Sequence, residues 1–149
     1  MAFNYFSIYL VVSDYQKSLD FYEKLFDSKV NATNGNRFAM FNTPGLNLCL
    51  MNAFYDEQHP EQMETREPAF PEYDDTGRIA GEANNKKIFI NLGVEDLDEE
   101  YQRIRNLGIG TDLTPIRYMN VFSPYWYFSF MDPDGNPIEI CGGRKSEQK

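Results

Sequence analysis

One carboxylate in this sequence stands where a carboxylate is costly. Glu139 lies between Ile138 and Ile140, at the end of the stretch Tyr127-Phe128-Ser129-Phe130-Met131-Asp132-Pro133-Asp134-Gly135-Asn136-Pro137-Ile138-Glu139-Ile140. An ionised acid between two isoleucines on a strand needs a hydrogen-bond donor, water or a cation to meet it. Alternation along the same stretch puts Ser129 and Glu139 on one side, and Phe128, Phe130, Ile138 and Ile140 on the other. The facing neighbour of Glu139 is expected to be Tyr127, or Ser129 should the hairpin register differ. Other strands add chemistry of the same kind by the same rule. Tyr5, Ser7 and Tyr9 share a face near the start, as do Asn47, Cys49 and Met51, then Phe89 and Asn91, and finally Tyr125 and Tyr127. Aromatic walls with a few polar anchors describe a small-molecule site, and one acid among aromatics could meet a cationic group. The competing reading is a wet concave sheet or a dimer contact, because aromatic stripes often serve packing.

The elements that must position these residues follow from periodicity. Asp132-Pro133-Asp134-Gly135-Asn136 has the turn chemistry of an antiparallel hairpin: fixed φ at Pro133, freedom at Gly135, and side chains that bond nearby backbone. Phe6, Ile8, Leu10 and Val12 form the apolar face of a first strand that should pack on a helix. Ser13 or Asp14 caps that helix, which runs from about Tyr15 to Phe26 with Leu19, Tyr22, Leu25 and Phe26 at helical spacing. Asn31 to Asn36 reads as turn, and Arg37 to Asn42 as a short strand. After Thr43-Pro44-Gly45, Leu46, Leu48 and Leu50 mark another strand. Ile88, Ile90, Leu92 and Val94 mark a further one. Asp96 with Glu99 then opens a helix striped by Leu97, Tyr101, Ile104 and Leu107 and stopped at Gly108. Thr111 to Arg117 is expected to be a strand. The segment from Val12 to Leu25 and that from Val94 to Leu107 match as a repeat: strand end, Asp cap, one helix, closing Leu.

Fourteen basic against 23 acidic side chains leave a net charge of −9, which disfavours nucleic acid as a partner. Most of that charge falls in Ala53 to Asn85, where nine acids face only Arg66 and Arg78. This stretch holds Pro60, Pro68 and Pro71 and reads as a solvated linker, a lid or an interface arm. Phe54, Tyr55, Phe70 and Tyr73 are expected to dock part of it. The sole histidine, His59, lies there with no ligand-spaced neighbour and reads as a surface residue. Cys49 and Cys141 are too few for a disulfide framework. No apolar run approaches the ~18 residues of a membrane span, and the amino terminus lacks signal-peptide features. A cytoplasmic protein is expected, with no membrane partner.

The closing hairpin and the phrase Val12-Ser13-Asp14-Tyr15-Gln16-Lys17-Ser18-Leu19-Asp20-Phe21-Tyr22 resemble the vicinal oxygen chelate superfamily. That family includes glyoxalase I, extradiol dioxygenases, fosfomycin-resistance enzymes and bleomycin-resistance proteins. The resemblance covers Phe3 to Cys141 apart from the acidic stretch. It implies an α+β fold of two βαβββ modules forming a cleft-lining half-barrel sheet with helices packed outside. Module one would span about residues 3–52, the insertion 53–85 and module two 86–141, with 142–149 a frayed tail. Metal-using members supply one ligand from each of four strands. The matching positions here are Ser7, Cys49, Phe89 and Glu139, and only Glu139 keeps the pattern. A dication wants at least three oxygen or imidazole ligands, so the resemblance implies a lost metal site and no cofactor.

The combined reading is a metal-free protein that binds an aromatic or cationic small molecule, as the bleomycin-resistance branch does. Its ligand-binding residues would be Tyr5, Ser7, Tyr9, Asn47, Cys49, Phe89, Asn91, Tyr125, Tyr127, Ser129 and Glu139, and its state a homodimer. One rival is a lyase, isomerase or dioxygenase like glyoxalase I, with a displaced metal or with Glu139 as general base. Another is an interaction module.

Overall fold

The computed structural model describes residues 6–62, 75–84, 87–120 and 123–145. The chain divides into two compact units, residues 1–83 and 84–149. Each carries a four-stranded mixed sheet with a helix packed on one face, which is the expected α+β architecture of two modules.

In the first unit, β1 (Ser7–Val12) leads into α1 (Tyr15–Phe26), followed by β2 (Ala32–Asn34), β3 (Phe38–Thr43) and β4 (Leu46–Asn52). The sheet order is β1-β4-β3-β2, with β1 parallel to β4 and the other pairs antiparallel. Asp14 caps α1 by accepting from the Lys17 amide at 3.0 Å, satisfying a donor the helix cannot. The helix buries Tyr15, Phe21, Tyr22 and Leu25. Tyr22 and Phe26 reach Phe41 of β3, with ring centroids 6.4 and 5.4 Å apart. Leu48, Leu50 and Ala39 complete this core, each buried large side chain contributing about 1.5–3 kcal/mol. Alternation therefore leaves Ser7, Tyr9, Asn47, Cys49 and Met51 on the face away from α1.

The second unit runs β5 (Ile90–Val94), α4 (Leu97–Leu107), β6 (Arg117–Asn120), β7 (Pro124–Met131) and β8 (Pro137–Gly142), in sheet order β5-β8-β7-β6. Asp96 caps α4 through the Glu99 amide, 3.1 Å away. Leu97 and Ile104 are buried, and Tyr101 meets Phe128 edge-on at 5.1 Å. The β7–β8 hairpin is closed by Asp132, 2% exposed, which accepts from the backbone amides of Asp134 and Asn136 and from the Asn136 side chain. Gly135 supplies the positive φ of 79° that this turn needs.

Several expectations are corrected. Residues 112–116 are not a strand; only Thr111 bridges to Met131. Asp112 turns the chain with a φ of 56°, Pro115 has no amide to pair, and β6 begins only at Arg117. Ala32–Asn34, expected as turn, pairs with Phe38–Met40. Strand β5 starts at Ile90, and Ile88, expected on its apolar face, is 68% exposed. Phe6 and Leu107 are likewise exposed, because each lies at an element's end, beyond the packed face. The hairpin register pairs Glu139 with Ser129, and Tyr127 with Cys141. Gly142, expected in the tail, closes β8. Beyond it Arg144 bonds Asp98 at 2.7 Å and lies 5.0 Å over the Trp126 ring, while Lys145 pairs with Asp96.

The acidic stretch is not wholly irregular. It contains α2 (Tyr55–Gln58), a 3₁₀ turn (Pro60–Gln62) and α3 (Thr76–Ala80). Arg37 lies 5.0 Å over the Tyr55 ring, and Thr76 donates to the Ala53 carbonyl. Phe54 is half-buried as expected, whereas Phe70 and Tyr73 fall outside the described residues.

Candidate functional site

The helix-free face of the second sheet gathers most of the chemistry foreseen there. Asn91 on β5 stands opposite Glu139 on β8, which stands opposite Ser129 on β7. The Asn91 amide donates to Glu139 Oε1 at 2.7 Å, and the Cys141 thiol lies 3.6 Å from Asn91 Oδ1. Tyr125 and Tyr127 sit beside this acid with ring centroids 5.5 Å apart. Tyr127 is almost fully buried, and Tyr125 is half-exposed. Its phenol pKa is raised, chiefly by loss of solvent and further by the Glu139 charge. The Tyr125 hydroxyl bonds Met119 Sδ, so it is an amide and not a tyrosine that holds the carboxylate.

Sequence reasoning missed Arg117. Its guanidinium lies 5.0 Å over the Tyr127 ring, on the same face as Glu139. No described carboxylate pairs with it. Treating residues 111–117 as a strand made Arg117 its end, whereas it is the first residue of β6. Phe89, expected on this face, stands one residue ahead of β5 and is 55% exposed.

The first unit presents a softer face. Ser7 pairs with Asn47, and Tyr9 with Cys49. Cys49 is 1% exposed; burial pushes its thiol pKa up, and a hydrogen bond from Ser7 opposes that rise. Tyr9 is 56% exposed and meets Phe38 edge-on at 5.6 Å. Beyond Phe38 and Met51 lies a cavity of about 240 Å³, bordered by Arg37, Asp56 and Thr76. Tyr5 lies outside the described residues.

The donor set fits a resident metal poorly. Ser7 and Cys49 bond one another, Phe89 has no donor atom, and Glu139 already accepts from Asn91. Among the described residues no three of His, Cys, Asp and Glu gather into a group that could hold an ion. His59 is half-exposed, its ring tilted against Tyr55 with centroids 4.4 Å apart, and lies beside Glu61.

Two βαβββ units, each with a helix on one sheet face and polar and aromatic side chains on the other, define the class of the molecule. The chain belongs to the Glyoxalase/Bleomycin resistance protein/Dioxygenase superfamily, whose model matches residues 3–140. Its fold is similar to lactoylglutathione lyase from Agrobacterium tumefaciens (16% identity, 93% of this chain and 92% of that one, TM-score 0.60). It is also similar to a glyoxalase-related enzyme from Fulvimarina pelagi (16%, 93% and 86%, TM-score 0.58). A glyoxalase/bleomycin resistance protein from Catenulispora acidiphila gives 16%, 93% and 96%, with a TM-score of 0.53. No curated protein matches the sequence. Identities this low carry the fold alone. No helix among the described residues is long and apolar enough to cross a membrane.

Proposed function

We propose that this protein is a metal-free small-molecule binder of the glyoxalase/bleomycin-resistance type, acting in the cytoplasm as a homodimer. The reading rests on one observation: Glu139 is held by Asn91 through one oxygen, on the sheet face of Tyr125 and Tyr127. A carboxylate fixed in this way has acceptor capacity left for an incoming cationic group, and the aromatic rings favour a flat or cationic partner. Ser7, Tyr9, Asn47 and Cys49 form a separate polar and aromatic face on the first unit. Cys49 is a poor nucleophile there, since burial favours the neutral thiol over the thiolate that reacts.

Elemental analysis of untagged protein tests the proposal against a metal-dependent lyase or dioxygenase. No stoichiometric transition metal is expected. About one zinc, nickel, iron or manganese per chain, lost on Glu139→Ala, would overturn it.

A further inference from the structure

We infer that the ligand taken by this face is a zwitterion, with its cationic group on Glu139 and its anionic group on Arg117. This rests on the reading of Glu139 as an anchor and adds a second pole to it. The two residues share one sheet face, two strands and two positions apart. Arg117 on β6 pairs with Tyr127 on β7, Tyr127 pairs with Cys141 on β8, and Glu139 is two residues from Cys141. Two strand spacings across and two residue rises along put their Cα atoms roughly 12 Å apart.

Between them stand Tyr127, Ser129 and Cys141, with Tyr125 on the side of Tyr127 away from Glu139. The Arg117 guanidinium roofs the buried Tyr127 ring, and the half-exposed Tyr125 ring adjoins it. Arg117 is exposed and its described partner is that ring, so its donors are open to a carboxylate, phosphate or sulfonate. At the other pole, Asn91 occupies one oxygen of Glu139. The face is thus negative at one end and positive at the other. Its complement is a small body that carries an amine on one side and an acid on the other, as a para-substituted aryl does.

Isothermal titration of the full chain with three probes tests this: 4-(aminomethyl)phenylacetate, and the single-charge analogues 4-methylbenzylamine and 4-methylphenylacetate. The zwitterion is expected to bind roughly tenfold or more tighter than either analogue, the scale of one added charge-assisted bond. Arg117→Gln should bring its affinity down to that of 4-methylbenzylamine, whose own binding should not change. Glu139→Gln should weaken 4-methylbenzylamine as well. Arg117 is exposed, so its loss should leave the fold intact, which circular dichroism checks. If the zwitterion binds no tighter than 4-methylbenzylamine, or if Arg117→Gln leaves that advantage in place, the second pole is wrong and the Glu139 anchor stands. If wild type binds none of the three, both ideas fall.

Discussion

Asn91 and Glu139 occupy directly paired positions of the parallel strands β5 and β8, and the asparagine amide meets the carboxylate at 2.7 Å. The acid that looks misplaced between two isoleucines in sequence is thereby satisfied on one oxygen by its neighbour. Glu139 is half-exposed, so its remaining acceptor sites stay open to water or to an incoming donor.

Glu139→Gln should therefore keep the fold, because a glutamine carbonyl still accepts from Asn91, while a cationic ligand weakens by roughly 1.5–3 kcal/mol. Titrations and melting curves of the two proteins, run side by side, decide the matter. Equal affinity with lowered stability would end the anchor idea.

The protein is expected to be a homodimer in solution. Symmetric dimers are the commonest oligomers, and Tyr9, Phe89 and Tyr118 are each more than half exposed. Light scattering that holds at the monomer mass across a wide concentration range would refute this.

Gly142 and Gly93 should respond oppositely to alanine. A Cβ at Gly142 would collide with the Val94 carbonyl on the paired strand, whereas one at Gly93 meets nothing within 4 Å. Gly142→Ala should cost about 1–3 kcal/mol or more, read as a fall in Tm of roughly 2–4 °C per kcal/mol. Gly93→Ala should melt close to wild type. A similar Tm for both variants would contradict the β5–β8 register.

The acid limb of stability should depend in part on Glu23. Hydrogen bonds from Lys29 Nζ at 2.8 Å and from the Val30 amide at 3.1 Å hold its pKa below the ordinary 4.5, the Lys29 bond being the larger cause. A depressed folded-state pKa stabilises fully above the unfolded value and is lost as pH falls through the folded one. Glu23→Gln should thus be the less stable protein at neutral pH, and the gap should close below about pH 4.5. A gap that persists unchanged at low pH would show that the pair contributes nothing through charge.

Local chemistry was enough to read the scaffold. Asp14 and Asp96 cap helices, and Asp132 with Gly135 closes a hairpin, because each acts on backbone within four residues of itself. Alternation likewise separated the Ser129 and Glu139 face from the Phe128 and Ile138 face, since a strand offers only two sides. Register could not be read this way. It is set by which residues on distant segments share hydrogen bonds, so Glu139 facing Ser129 across β7, and Asn91 reaching it from 48 positions earlier, emerge only when the sheet closes. The same applies to Arg117. Its guanidinium meets the Tyr127 ring because β6 starts only at Arg117, after Asp112 and Pro115, and pairs with β7 at Tyr127. Sequence alone determined which side chains could do chemistry; the pairing of strands decided which of them meet.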